Sequence, residues 1–573
     1  MKIQQRPVPA EPGLWSDSIH PVMQRIYGAR GLTRVSELEL ELARLAPVSQ
    51  MKGIMDAADL LFEALREGRS ILIVGDYDAD GATSSALAML ALKAYGAERV
   101  SYLVPNRFEY GYGLTPELVE LAAGYDPGLI ITVDNGISSL SGIERANAFG
   151  IPVLVTDHHL PPEQLPPAAV IVNPNQPDDP FPSKHLAGVG VVFYLMAALA
   201  RRLESGGWFK QRNLAPPNPA QWLDLVAIGT ICDLVPLDFN NRVLVAQGLR
   251  RIRAGSCRPG IRALAEVAKR ALPNLVASDI GFALGPRLNA AGRLDDMGLG
   301  IECLLTASTP EAQKMAHRLD LLNQERRSIE QSMKSQADSA MAHLHLSDDG
   351  GLPAGLCLYD AAWHQGVVGI LASRMKAQYH RPVIAFARGD GGILKGSARS
   401  ISGLHMRDLL AAIATRNPGL ITRFGGHAMA AGLTLAEAVY PRFKQAFERE
   451  AAAQLSPEML EEVVFTDGEL PVEALNLEMA EILRDGGPWG QGFPEPLFEG
   501  CFDLQQQRVV GESHLKLELS SADSSCRIDA IAFNQPPLSA GDRRVRMTYR
   551  LDVNEFRGRR SAQLIVETIQ STT

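Results

Sequence analysis

The stretch ILIVGDYDADGATSS, Ile71 to Ser85, decides the fold. Its apolar start reads as a short buried strand, and the strand runs through Gly75 straight into three aspartates, Asp76, Asp78 and Asp80. Outward from it, between about residues 70 and 175, four more β-rich runs alternate with helix-like segments: VSYLV (100–104), LIITV (129–133), PVLVT (152–156) and AVIV (169–172). That alternation predicts an α/β domain with a doubly wound parallel sheet.

Two further strands end as the first does. LIITV runs into Asp134-Asn135-Gly136, and PVLVT into Asp157-His158-His159. In open α/β sheets ligands bind outside the carboxyl ends of the strands, so these groups are expected to be neighbours in space. Asp233, closing the helix-like segment AQWLDLVAIGTICDL, is a fourth acidic site able to join them. Carboxylates so crowded repel one another, and a divalent cation is the natural remedy. Mixed carboxylate and imidazole donors suit Mn²⁺ or Mg²⁺, and this many donors are enough for two ions. Ion pairs of that kind, roughly 3.5–4 Å apart, serve phosphoryl chemistry. Each motif alone has an ordinary explanation, since strand-end aspartates cap helices and paired histidines pack in cores. All of them at strand ends in one sheet favour a metal site.

Helical patterns continue from Gly188 and Ala220, and Thr309 to His343 reads as one long helix, free of glycine and with no proline after Pro310. A second α/β region follows, with strand-like GLCLYD and PVIAFA and a glycine-rich GGHAMAAGLT. The tail alternates in short segments, as in a small five-stranded barrel of the OB type, a shape that commonly binds oligonucleotides. The expected division is an N-terminal extension 1–50, a first domain 51–305, a linking helix 306–348, a second domain 349–455 and a barrel domain 456–573.

The 573 residues carry a net charge of −9, which argues against a surface coated with phosphate-binding groups. Local basic stretches exist all the same: seven arginines between Arg543 and Arg560, interleaved with Tyr549 and Phe556, and another run from Arg250 through Arg253 and Arg258 to Arg270. Either is a nucleic-acid surface or a solvated face. Six cysteines lack a CxxC spacing and read as buried free thiols. With no signal-like or membrane-length apolar run, the expected location is the cytoplasm, without membrane contact.

Through VGDYDADGATSS (Val74 to Ser85), ITVDNGISS (Ile131 to Ser139), VTDHH (Val155 to His159) and Asp233, the sequence resembles the DHH phosphoesterase superfamily. GSARS (396–400) and GGHAMAAGL (425–433) look like its DHHA1 substrate domain, and the tail like the OB domain of an exonuclease branch. The resemblance implies Asp78, Asp80, Asp134, His158 and Asp233 as metal ligands. It implies a catalytic group of His159, Asp76 and Asp157, in which His159 contacts the scissile phosphate and the two aspartates act as ligands or partners of ligands. It implies Arg107, Arg293, Ser397, Arg399, Gly425, Gly426 and His427 around the terminal phosphate and backbone, where guanidinium forks and glycine backbone suit phosphate oxygens. Small DHH phosphatases place a metal-binding histidine where this chain has Val74.

The activity implied is hydrolysis of single-stranded DNA from its 5′ end to mononucleotides, using Mn²⁺ or Mg²⁺. The same resemblance implies a monomer with roles in repair and recombination, partnered by single-stranded-DNA-binding protein. Rival readings are a phosphodiesterase for short oligonucleotides or cyclic dinucleotides, favoured if no long DNA track exists, and a non-catalytic DNA-binding scaffold, favoured by eroded acidic motifs. A dinucleotide-binding oxidoreductase is weaker, because no GxGxxG follows the first strand.

Overall fold

A computed structural model describes residues 2–9, 13–106, 109–347, 352–511, 513–521, 527–539, 541, 543–556 and 558–571, without the side chains of 342–347 and 556. The chain forms two compact units, Gln5–Asp320 with Phe465–Thr573, and Met1–Gln4 with Leu321–Val464.

In the first unit, β1 (Ile71–Gly75), β2 (Val100–Leu103), β3 (Leu129–Val133), β4 (Val153–Thr156) and β5 (Val170–Val172) make the expected parallel sheet. Their order is β2-β1-β3-β4-β5, every neighbouring pair parallel. β1 and β3 are buried on both faces, which is why they read as unbroken aliphatic runs. Leu72, Val74, Ile130, Val153 and Val155 pack against Leu118, Val119, Ile143 and Ala146 of helices Pro116–Ala123 and Leu140–Ala148. Helix Ala79–Ala94 is buried almost all round, enclosed by the helices Gly188–Ser205 and Leu223–Cys232. The strand order reverses between β1 and β3, so the crevice outside their carboxyl ends is the topological switch point. Asp76–Asp80 and Asp134 lie there.

The second unit contains most of the long helix, Thr309–Ser347, and a five-stranded sheet. Its strands are β6 (Leu356–Tyr359), β7 (Val383–Arg388), β8 (Ile393–Arg399), β9 (Arg423–Gly426) and β10 (Ala430–Ala436), ordered β9-β10-β8-β7-β6. Phe386, Phe443 and Phe447 anchor its core.

The tail returns to the first unit as a closed barrel of β11 (Phe498–Val510), β12 (His514–Ser521), β13 (Arg527–Ala532), β14 (Arg544–Phe556) and β15 (Arg559–Ser571). Closure leaves no free sheet edge. It also changes the reading of the basic stretch. Tyr549 is buried against Phe498 and Phe502 inside the barrel and offers no stacking face. Arg546 pairs with Glu499, Arg550 with Glu495 and Glu567, and Arg560 with Glu481, so these cations are already partnered. Arg557 lies outside the described residues. In the other run, Arg258 pairs with buried Asp224 and Arg270 with Asp279. Five cysteines are free thiols, of which Cys303 and Cys357 are buried as expected, Cys232 and Cys257 half-buried and Cys501 exposed, while Cys526 lies outside the described residues. Among the described residues, no helix is long and apolar enough to cross a membrane.

The N-terminal helix Pro21–Gly28 is riveted to the segment leading into the barrel. Tyr27 stacks on Trp489 and Phe493, Arg30 lies over Trp489, and Arg30 pairs bidentately with Asp467 at 2.7 and 3.0 Å. Both side chains of that pair are 1% exposed. Removing one partner strands the other charge in the interior. Asp467→Ala is therefore expected to cost about 3–5 kcal/mol, seen as a lowered thermal midpoint and faster limited proteolysis.

Candidate metal centre

The acidic loop after β1 is held by backbone donors. Asp78 caps helix Ala79–Ala94, its Oδ1 accepting the amides of Asp80 (2.9 Å) and Gly81 (3.0 Å). Asp76 accepts the amide of Tyr77. Asp80, 1% exposed, accepts the amides of Gly188 (2.6 Å) and Val189 (3.0 Å), so its charge faces the positive end of helix Gly188–Ser205. After β3, Asp134 adopts φ +63° and is buried, with no hydrogen bond to its Oδ1. Helix Gly188–Ser205 approaches it so closely that a Cβ at Gly188 would lie 2.7 Å from the Asp134 side chain. Asn135 donates to the carbonyls of Val74 and Val133, stitching the ends of β1 and β3 together.

After β4, His158 Nε2 lies 3.1 Å from Asp134 Oδ1 and 3.4 Å from Asp233 Oδ2, joining groups distant in sequence. Asp233 sits at the end of helix Leu223–Cys232. Asp157 is committed elsewhere. Its Oδ1 accepts the amides of His158 and His159 and pairs with His159 Nδ1 at 2.7 Å, while Oδ2 accepts the Ile137 amide.

Three donor sets result, with the donor atoms of each within 4.8 Å of one another: Asp76, Asp78 and Asp134; Asp80, His158 and Asp233; and Asp134, His158 and His159. Burial, and then the charge of Asp78, pushes Asp80 up to about 7. Burial and the surrounding carboxylates likewise raise Asp134 and Asp233. Burial acts against the charged forms of Asp157 and His159 too, but their mutual hydrogen bond and opposite charges outweigh it, holding Asp157 at about 2 and raising His159 to about 9.

Of the substrate-side residues, Arg107 lies outside the described residues. Arg293, on helix Gly285–Leu294, lines a groove of about 1710 Å³ between the sheet domain and the barrel. The same groove is lined by Cys232 and Leu234, on either side of Asp233, and by exposed Phe282 and Phe533. The remaining five belong to the second unit. Ser397, Gly432 and Gly425 are directly opposite one another on β8, β10 and β9, and Cβ atoms at Gly425 or Gly432 would meet nothing within 4 Å. Arg399, two residues along β8, donates to Ser397 Oγ and Ser373 Oγ at 3.1 Å. Gly426 adopts φ +141°, and His427 follows it at the turn.

Several contributors escaped the sequence reading. Asn173 and Asn175 donate to the carbonyls of His159 (2.9 Å) and His158 (2.6 Å), clamping the motif from behind. The Tyr112 hydroxyl lies 3.1 Å from His159 Nδ1, on a loop turned by Gly111 and Gly113 at positive φ. The asparagine spacing directly after β5 was the available signal for the clamp. For Tyr112 there was only its glycine neighbours.

Comparison with known proteins identifies the three domains. Residues 70–230 match the DHH family N-terminal domain, 353–453 the DHHA1 domain and 466–568 the RecJ OB domain. Over 552 residues the chain is 54% identical to the single-stranded-DNA-specific exonuclease RecJ of Escherichia coli (strain K12), covering 96% of both chains. The chain belongs to the RecJ family. Crystal structures of RecJ from Thermus thermophilus share its architecture. The complex with Mn²⁺ has a TM-score of 0.81 at 31% identity, covering all of this chain and 79% of that one. The complex with Mg²⁺ has a TM-score of 0.75 at 29% identity, covering 100% and 78%.

The residues present suit such ions. The donors are carboxylates and imidazoles, Asp76, Asp80 and Asp134 are buried, and among the described residues Asp134 Oδ1 accepts no hydrogen bond. The pH dependence of the metal-free protein follows from the raised groups. Asp80 stabilises the fold fully only below the unfolded carboxylate range, near 4, and that contribution is lost as pH rises through about 7. His159 stabilises it fully below about 6.5, and the contribution is lost towards about 9. Both decline between pH 6 and 8. Chelator-treated protein is expected to melt at a lower temperature at pH 8 than at pH 6, with Mn²⁺ giving its larger stabilisation at pH 8. Melting curves with and without Mn²⁺ at the two pH values check this.

Proposed function

We propose that this chain is a metal-dependent exonuclease that hydrolyses single-stranded DNA from the 5′ end and releases mononucleotides. The observation that carries the reading is the convergence of Asp76, Asp78, Asp80, Asp134, His158 and Asp233 at the switch point of the sheet, in a chain so similar to RecJ enzymes.

In this reading Asp78, Asp80, Asp134, His158 and Asp233 hold two Mn²⁺ or Mg²⁺ ions, with Asp76 completing the shell beside Asp78 and Asp134. When bound, the ions activate water and offset charge building on the phosphate. His159, kept protonated by Asp157, donates to a non-bridging oxygen of the scissile phosphate as negative charge grows there. Asp157 acts through His159, because its oxygens are occupied by the imidazole and three backbone amides. Asn173 and Asn175 keep both histidines at their stations.

Arg107, Arg293, Ser397, Arg399, Gly425, Gly426 and His427 bind the terminal phosphate and the sugar-phosphate backbone in the same reading. The row of glycines beside Ser397 leaves room for phosphate oxygens against the backbone. The groove between sheet domain and barrel, lined by Cys232 and Leu234 on either side of Asp233 and by Phe282, Phe533 and Arg293, favours a polymer over a dinucleotide. Its exposed rings supply stacking faces that accept any base. Family likeness adds a monomeric enzyme of the cytoplasm, working in repair and recombination with single-stranded-DNA-binding protein.

A nuclease assay on 5′- and 3′-labelled single and double strands tests the whole reading. Expected are degradation of single strands from the 5′ end with Mn²⁺ or Mg²⁺, none with chelator, and slower turnover of dinucleotides. Degradation only from the 3′ end would refute the terminal-phosphate assignment. Asp134→Ala is expected to abolish turnover while leaving single-strand affinity, measured in chelator, largely intact. Equal losses in both would count against the separation of metal and DNA sites.

A further inference from the structure

Helix Gly285–Leu294 touches the acidic loop although more than two hundred residues separate them in the chain. Asn289 Oδ1 accepts the amide of Ala79 at 2.8 Å. One turn on, Gly292 lies against the Tyr77 carbonyl, where an added Cβ would stand 1.8 Å from the oxygen. At its other end Gly285 abuts the Cys232 side chain, next to Asp233. One helix thus contacts both sequence segments that carry the outlying carboxylates.

The Ala79 amide is the significant one. Asp78 is the helix cap, and its Oδ1 satisfies the next two amides, of Asp80 and Gly81. The first amide of the helix is beyond that oxygen's share and has no partner within the helix. Asn289 takes it. No hydrogen bond engages Asp78 Oδ2 among the described residues, so that oxygen remains for a cation. Without Asn289 the orphan amide must find water or draw on a neighbouring carboxylate, and the loop bearing Asp76, Asp78 and Asp80 loses a side-chain tether to this helix.

We propose that Asn289 is a positioning residue of the metal centre: by accepting the Ala79 amide it fixes the acidic loop in ion-binding geometry and ties that loop to the helix bearing Arg293. The proposal rests on the metal-site reading above and adds to it a residue that lines the groove but acts on the acidic loop through the Ala79 amide rather than as an ion ligand. Outer-sphere partners of this kind typically change metal affinity or activity 10–100-fold.

The test compares wild-type and Asn289→Ala full-length protein in three measurements: free Mn²⁺ by electron paramagnetic resonance during titration, affinity for a single strand in chelator, and the thermal midpoint in chelator. The expected result is a Mn²⁺ half-saturation raised about tenfold or more, with DNA affinity unchanged and turnover recovering as Mn²⁺ is raised. Unchanged Mn²⁺ affinity, or a parallel fall in Mn²⁺ affinity, DNA affinity and thermal midpoint, overturns the proposal. Should Asn289→Ala fail to fold, Asn289→Ser carries the same comparison, because its hydroxyl is too short to span to Ala79. A wild-type protein that binds Mn²⁺ yet leaves single strands intact would sink the proposed activity while leaving the Asn289 comparison standing.

Discussion

Mutual repulsion among carboxylates at the switch point is the constraint on which the rest of this structure depends. Asp76, Asp78, Asp80, Asp134 and Asp233 converge from three sequence segments into a pocket where burial makes the charges of Asp80, Asp134 and Asp233 costly. The fold reduces the cost with fixed dipoles. Two amides at the start of helix Gly188–Ser205 serve Asp80, two at the start of helix Ala79–Ala94 serve Asp78, and the Tyr77 amide serves Asp76. Backbone donors neutralise only part of a unit charge each, so the pocket remains poised for cations.

That arrangement demands close backbone approach, and the sheet topology supplies it. Placing β1 beside β3 at the reversal of strand order brings Asp76–Asp80 and Asp134 together with no long loop to order. Gly188 then allows the next helix to bring its amides against Asp80 and its backbone against Asp134 at once. A larger residue there would push the helix back and remove the donors that make Asp80 tolerable. Fold and electrostatics therefore fix the same glycine for the same reason.

Much of this was legible in the sequence. Strands buried on both faces leave aliphatic runs that few other structures produce, and the acidic loops stand out because carboxylates directly after such runs are costly unless used. The long helix Thr309–Ser347 announced itself by what it lacks beyond Pro310, proline and glycine. Other features were illegible because they are contacts across the chain. Asn289 acts on a backbone atom, and no spacing rule links an asparagine to an amide folded against it from more than two hundred residues away. The arginines of β14 and β15 stayed ambiguous for a related reason: a run of like charges does not show that Arg546 and Arg550 meet Glu499, Glu495 and Glu567 in the folded chain.

The two kinds of carboxylate in the pocket are distinguished by which competitor each meets. Asp157 is held at about 2 by His159, so across the physiological range it is ionised and its partner protonated. It has no free oxygen for a cation and no proton to release. Asp80, raised to about 7, and the likewise raised Asp134 and Asp233 offer oxygens for which, in the proposed reading, protons and metal ions compete. On the proposed ligand assignment, metal uptake releases protons from one set while leaving the Asp157–His159 pair intact. In the proposed reading, oppositely directed shifts in groups a few ångströms apart separate a cation-holding face from a proton-bearing face within one cleft, and phosphodiester hydrolysis needs both.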